Sequence, residues 1–241
     1  MDGLVEKLRA ATRVTVLTGA GVSAASGVPA FRGAKGMWKN FRPEELATPA
    51  ALARDPKTVW EWYDWRRQLI AQVEPNEAHR TLARWQARFP QFTLITQNVD
   101  GLHERAGSTD VLRYHGSIWR MECAARCPGA QGGWEDLRAP LPERPPACPA
   151  CGDLARPGVV WFGEPIPPGV ARAALRAATD CDVFLAVGTS SVVYPAGGLV
   201  HEAKHAGAFT AEINIEATEV SSSVHLAIAA PAERVLPDIT W

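Results

Sequence analysis

The first thirteen residues place Leu4, Val5 and Leu8 on one side of an otherwise polar helix, predicting an amphipathic element over about 3–12. The β-branched run at 14–17 follows and reads as a buried strand. It leads into a turn carrying Gly19, Gly21 and Gly27, with Ser23 and Ser26 between them, and then a helix start. Residues 43–73 read as helical, crowded with Trp60, Trp62, Tyr63, Trp65 and Leu69, and a second amphipathic helix begins at Glu77. Short strands are expected at 92–96 and 111–114, then at 159–162, 183–187, 211–215 and 226–229. Helical stretches at about 169–178 and 195–206 separate the later ones. This βαβ alternation predicts an α/β fold, a Rossmann-like doubly wound parallel sheet. Residues 117–158 break the pattern: rich in Pro, Gly and Cys and poor in periodicity, they read as an inserted small module.

At 241 residues the chain is long enough for one α/β domain with a small insert. With 25 basic and 26 acidic residues, the net charge of −1 gives no electrostatic footprint for nucleic acid. No apolar run approaches the ~20 residues of a membrane span, and the N-terminus lacks a signal-peptide core. The expected setting is the cytoplasm, with no nucleic-acid or membrane partner. In that setting five cysteines do not read as a disulfide framework.

Three constellations carry candidate chemistry. The first is the glycine turn, where missing Cβ atoms and a helix N-terminus allow backbone N–H groups to approach a phosphate. Its spacing is not the G-x-G-x-x-G fingerprint, since 22–24 are Val-Ser-Ala. The second is Cys123-x3-Cys127 with Cys148-x2-Cys151, four soft ligands in two close pairs that suit one tetrahedral, structural Zn²⁺. Cys181, at the start of an apolar strand, reads as core. The third is Asn98, Asp100 and His115, each just after a strand end, where open α/β sheets place ligand chemistry. Separately, Tyr63 and Arg66 stand at i and i+3 on one helix face, a phenol and a guanidinium able to share a carboxylate.

The run 19–27 with Pro29-x-Phe31-Arg32, then 97–100, His115-Gly116, the four cysteines, Phe162-Gly163-Glu164, 188–190 and Asn214-Ile215-Glu216 resembles the sirtuin family of NAD-dependent protein lysine deacylases. The motifs run in family order from residue 19 to about 237. One departure is Ala25, where the family usually carries Glu. The resemblance implies a large Rossmann-like domain (about 1–35, 76–116 and 159–241) and a small domain (about 36–75 and 117–158), with NAD between them. Gly19, Ala20, Gly21, Ser23, Ala24, Gly27, Gly188, Thr189 and Ser190 would hold the phosphates and adjoining ribose, with Pro29, Phe31, Arg32 and Trp38 in the cofactor loop. Asn214, Ile215 and Glu216 would sit at the adenosine ribose and Ala232 by the adenine, while Gln97, Asn98, Val99 and Asp100 would position the nicotinamide end. His115 would act as general base and Asn98 beside it.

The implied chemistry is departure of nicotinamide, attack of the acyl-lysine oxygen on C1′ of the ribose, and resolution to free lysine and 2′-O-acyl-ADP-ribose. A substrate peptide would add as a strand between 161–164 and 191–194, using Val160, Phe162, Gly163, Glu164, Val193 and Tyr194. In this family a Tyr-x-x-Arg pair at the place of Tyr63 and Arg66 marks enzymes that remove succinyl and malonyl groups, so the chain resembles the bacterial-type desuccinylase and demalonylase branch, with acetyl removal retained. The alternatives are a plain deacetylase and mono-ADP-ribosyl transfer from the same NAD site. A hydride-transferring dehydrogenase needs the missing fingerprint and an acidic residue where 40–42 read Asn-Phe-Arg. A zinc-binding adaptor would not need Asn98, Asp100 and His115 at strand ends.

Overall fold

Strand β1 (Arg13–Thr18) is buried on both faces after Arg13, which fits it for the middle of a sheet covered on both sides. Val14 and Val16 face one layer and Leu17 the other. The computed structural model describes residues 2–29 and 41–240. Before β1 comes helix α1 (Asp2–Ala10) and after it α2 (Ala20–Ala24). Next are α3 (Pro43–Leu46), α4 (Pro49–Arg54), α5 (Pro56–Ala71), α6 (Glu77–Arg88), β2 (Gln91–Thr96), α7 (Leu102–Arg105) and β3 (Leu112–Arg113). A second group of strands follows, β4 (Gly116–Cys123), β5 (Trp134–Glu135) and β6 (Ala155–Val159). The chain closes with α8 (Pro168–Asp180), β7 (Val183–Val187), α9 (Leu199–His205), β8 (Phe209–Asn214), β9 (Leu226–Ala229) and α10 (Ala232–Asp238).

Six strands form one sheet in the order β3-β2-β1-β7-β8-β9, every pair parallel. The chain therefore winds outward from β1 in one direction and from β7 in the other, so β1/β7 is the switch point of a doubly wound fold. One layer buries Leu4 and Leu8 of α1, Leu82 and Trp85 of α6 and Leu236 of α10 against the sheet. The opposite layer packs Ala174 and Ala178 of α8 and Leu199 and Ala203 of α9. Leu4 and Leu8 are fully buried, each contributing about 2 kcal/mol. Cys181 is core, as expected, and donates its thiol to the Ala178 carbonyl.

The expected helical run 43–73 is three helices. Thr48 and Asp55 accept the N–H groups of Ala51 and Thr58 as N-caps, and each is followed by a proline at the first helical position. α5 packs on a three-stranded antiparallel sheet of order β5-β4-β6. Two expectations change here. Residues 117–158 are not without periodic structure, because β4 runs through their start as an eight-residue strand. The strand expected at 159–162 lies instead at 155–159 and pairs antiparallel with β4, outside the parallel sheet. Past Val159 the backbone finds other partners: Val160 N donates to His115 O and Phe162 N to Ala47 O, both at 3.0 Å. β3 is likewise shorter than expected, two residues before the turn at Tyr114–His115.

Buried charges clasp α5 to this smaller sheet. Arg67 is fully buried and donates to the carbonyls of Ile118 (2.7 Å), Arg138 (3.0 Å) and Asp136, pairing also with the Asp136 carboxylate. Asp64, also fully buried, accepts from Leu141 N at 2.7 Å and from Arg144 at 2.8 Å. Trp60 donates its indole N–H to Ala155 O at 2.9 Å.

Candidate active site and metal centre

Four turns leave the carboxyl ends of β1, β2, β7 and β8 and meet around the switch point. Gly19 N donates to Val187 O (3.1 Å), Gly21 N to Gly188 O (2.8 Å) and Gly188 N to Ile213 O (2.9 Å). A Cβ on Gly19 or Gly21 would stand 2.8 Å from Gly188 O, and one on Gly188 2.5 Å from Val22 N. Glycine is therefore required where the two turns pack on each other, and Gly188 also takes a φ of +58°. Ala20 is half-buried, Gly21, Ala24 and Gly27 are exposed, and Pro29 is half-buried. Phe31, Arg32 and Trp38 lie outside the described residues.

The residues after β2 are drawn onto the glycine turn. Asn98 donates through Nδ2 to Gly19 O at 2.9 Å and to Ser23 Oγ at 3.2 Å. Ser23 donates to Asp100 Oδ2 at 2.7 Å, while Asp100 Oδ1 accepts Leu102 N at 2.9 Å. Burial pushes the Asp100 carboxyl above its ordinary range, against these two donors. Gln97 donates to Thr189 Oγ1 at 2.8 Å, joining the β2 and β7 turns. Val99 is half-buried and its carbonyl accepts Ile118 N at 2.9 Å.

His115 Nδ1 lies 3.1 Å from the Gln97 carbonyl. A carbonyl only accepts, so Nδ1 carries the proton and Nε2 is left with its lone pair. Burial lowers the His115 pKa, partly offset by that hydrogen bond. In the outer turns Ser190 is exposed, and Ser191, buried at φ +57°, has an Oγ with no hydrogen-bond partner among the described residues. Asn214 Nδ2 donates to Glu216 O at 3.1 Å, Ile215 is 66% exposed, and Ala232 is buried at the start of α10.

Tyr63 is buried, and its hydroxyl accepts the Trp161 indole N–H at 2.7 Å. Burial pushes the phenol up to about 12. Arg66, one turn on, sets its guanidinium carbon 5.2 Å from the Trp62 ring, and burial lowers its pKa against the opposing pull of Tyr63 and Asp100. Beyond Val160 (half-buried), Phe162 is 42% exposed and Gly163 exposed, while Glu164 accepts from Arg156 at 2.7 and 2.8 Å. On the facing turn Val193 is half-buried and Tyr194 is 64% exposed.

Sequence reasoning did not reach the polar layer beneath these residues. His79 Nε2 is 3.4 Å from Ser23 Oγ, and His103 Nε2 is 2.9 Å from Thr18 Oγ1. The two rings meet edge to face at 4.8 Å, and burial holds both neutral, His79 down to about 4 and His103 well below the usual histidine range. His79 had one signal: at the third position of α6 it accepts the backbone N–H of the Asn76 cap.

The four cysteines converge as expected. Their sulfurs all lie within 4.8 Å of one another, with Cys123–Cys151 at 3.6 Å and Cys127–Cys148 at 3.7 Å. Four sulfurs ~2.3 Å from a tetrahedral zinc stand about 3.8 Å apart, so the set fits one structural ion with no open position.

The Sir2 family model matches residues 19–195. An NAD-dependent protein deacylase of Aquifex aeolicus is 52% identical over 208 residues, covering 86% of this chain and 85% of the relative. NAD-dependent protein deacylase 1 of Pseudomonas aeruginosa is 46% identical over 243 residues, covering 99% and 97%. A solved Sir2 homologue–NAD complex superposes with a TM-score of 0.93 at 41% identity, covering 99% of this chain and 92% of that one. The fold, the convergent turns and the four-cysteine centre define a doubly wound α/β protein with a metal-stapled smaller sheet. This chain belongs to the Sir2 family.

Proposed function

We propose that this Sir2 protein is an NAD-dependent protein deacylase that removes succinyl or malonyl groups from lysine in preference to acetyl. The observation that carries the acyl preference is the pair on α5: Tyr63 and Arg66 stand one turn apart, with the phenol fixed by Trp161 directly before the 162–164 segment. A guanidinium offers a carboxylate paired donors and charge, and a neutral phenol adds a third donor. The NAD-dependent deacylase names of the relatives support the broader activity.

The division of labour we propose follows the turns. The large part (about 1–35, 76–116 and 159–241) and the small part (about 36–75 and 117–158) would hold NAD between them. Gly19, Ala20, Gly21, Ser23, Ala24, Gly27 and 188–190 would face its phosphates, and the Ser191 hydroxyl, unpaired among the described residues, would be a donor for a ligand in the same turn. Asn214, Ile215, Glu216 and Ala232 would receive the adenosine, and Pro29, Phe31, Arg32 and Trp38 would form the cofactor loop. Bound NAD supplies an electrophilic ribose carbon and a nicotinamide leaving group. Gln97, Asn98, Val99 and Asp100 would orient that end, Asn98 being preset by Gly19 O and Ser23 Oγ. His115 would take a ribose hydroxyl proton at Nε2, the nitrogen that Gln97 leaves bare. A peptide would pair its backbone between Val160, Phe162, Gly163 and Glu164 on one side and Val193 and Tyr194 on the other, taking little sequence selectivity from main-chain bonds.

Among the described residues no helix is long and apolar enough to cross a membrane. A cytoplasmic location is part of the proposal, consistent with a thiolate metal centre. The test is NAD-dependent turnover of matched succinyl-lysine and acetyl-lysine peptides by wild type and Arg66→Met. Succinyl turnover lost while acetyl turnover survives supports the reading. Equal loss of both makes Arg66 structural and the enzyme a plain deacetylase, and gain of an ADP-ribose mass on the protein substrate would favour ADP-ribosyl transfer.

A further inference from the structure

We propose that Trp161 is a specificity-determining positioning residue, whose indole N–H aims the Tyr63 hydroxyl so that it serves as a dedicated hydrogen-bond donor to the carboxylate of an acidic acyl group. The inference rests on the acyl preference proposed above and names a residue outside the Tyr63–Arg66 pair that enforces it.

The direction of the Trp161–Tyr63 bond is fixed by chemistry. An indole nitrogen donates and never accepts, so at 2.7 Å the phenol oxygen must be the acceptor. A tyrosine hydroxyl has one proton to give. With one of its lone pairs committed to Trp161, that proton is turned elsewhere, and a carboxylate can only accept. Both partners are buried, Tyr63 to 2% and Trp161 to 3% exposure, so water does not compete for the pairing. Burial also keeps the phenol protonated, leaving Arg66 to supply charge and Tyr63 to supply direction.

Trp161 is itself held from two sides. The Arg156 guanidinium carbon lies 4.0 Å from its ring centroid. Arg156 grips both oxygens of Glu164, at 2.7 and 2.8 Å, and Glu164 Oε2 accepts the Trp161 backbone N–H at 2.9 Å. Residues 156, 161 and 164 thus close a ring where the smaller sheet ends, and the indole N–H leaves that ring in one direction, toward α5. An acetyl group carries no carboxylate and makes no use of a donor there, so the contribution of Trp161 is acyl-selective.

The test is Trp161→Phe, which keeps an aromatic ring beside Arg156 but removes the N–H together with part of the indole, compared with Tyr63→Phe and the double variant, whose non-additivity separates the lost hydrogen bond from the lost volume. Steady-state constants are measured on matched succinyl-lysine and acetyl-lysine peptides at saturating NAD. The expected result is a three- to tenfold fall in the succinyl-to-acetyl ratio of kcat/KM for W161F, carried by a raised succinyl KM, roughly the worth of one neutral hydrogen bond. Tyr63→Phe falls similarly, and the double variant falls no further than Y63F alone, because the two side chains act as one unit. An unchanged ratio in W161F, an equal loss on both peptides, or two falls that multiply in the double variant overturns the proposal while leaving the acyl preference standing. A wild type that turns over succinyl peptide no faster than acetyl overturns the acyl preference itself, and this inference with it.

Discussion

His115 Nδ1 sits 3.1 Å from the carbonyl of Gln97, and that contact decides which imidazole nitrogen is free to take a proton. Gln97 is in turn held by Thr189 at 2.8 Å, so the imidazole is oriented from the β7 turn as well as from β2.

Replacing His115 by Asn keeps an N–H for the Gln97 carbonyl and removes the base. On the proposed mechanism, turnover falls about 10²- to 10⁴-fold with little change in melting temperature. Because burial lowers the His115 pKa, the base form persists below the usual histidine range. The acid limb of kcat/KM against pH in the wild type should therefore bend below pH ~6.5. A limb centred well above that value would assign the titration to another group.

Asp100 is a carboxylate whose burial works against its own charge. Its folded-state pKa is raised, so the native state binds a proton more tightly than the unfolded chain does. The associated stability is present below the unfolded pKa of ~3.9 and is lost as pH rises through the folded value. Asp100→Asn removes that loss: the variant should gain melting temperature over wild type at pH 7 and gain little at pH 4. Activity should drop at the same time, since Asn98, Ser23 and Asp100 form one hydrogen-bonded set. Thermal melts at the two pH values check the sign, and an advantage larger at pH 4 would contradict it.

Legibility in the sequence tracked how local the causes are. β1 and β7 are readable because their largely apolar runs face apolar layers on both sides. The breaks at Thr48-Pro49 and Asp55-Pro56 are readable as cap signals, although the crowding of tryptophans on α5 masks them as one long helix. His115, Asn98 and Asp100 followed from their places just after strand ends. β6 is hard to read because it contains Pro157 and Gly158 beside the charged Arg156, whereas the more strand-like 159–162 run spends its N–H groups on His115 and Ala47. Trp161 and Tyr63 are 98 positions apart, and nothing in either segment announces the other. No local pattern marks Arg67, whose partners are carbonyls from 118–138 that only the folded smaller sheet brings together.

Arg67 is accordingly the side chain whose loss the smaller sheet should tolerate least. Arg67→Met keeps the length of the stem and removes every donor, leaving the Asp136 carboxylate, among the described residues, with Arg138 alone and taking the donor from the Ile118 carbonyl. Breaking a buried ion pair from one side costs about 3–5 kcal/mol. Denaturant unfolding should show a loss of that size. Arg144→Met, whose guanidinium is half-exposed beside Asp64, serves as the milder comparison and should lose less. Equal losses for the two would mean that burial is not what sets the worth of these pairs.

The metal centre and the α5 clasp hold the same small sheet, and this makes zinc removal informative. Cys123 closes β4 and Cys151 lies just before β6, so the four thiolates staple the ends of the two strands against which Trp60 and Arg67 are anchored. Purified protein should carry one zinc per chain by elemental analysis. Stripping it with a chelator under reducing conditions should abolish turnover while the parallel sheet, packed by its own two apolar layers, keeps most of the far-ultraviolet dichroism. Tryptophan fluorescence should shift to the red, because Trp60, Trp62 and Trp161 belong to the core that loses its staple. Restoring zinc should recover both signals together. Recovery of fluorescence without turnover would separate the metal's hold on the small sheet from the geometry of Tyr63 and His115, and full activity in the metal-free protein would show that the apolar core alone keeps α5 in register.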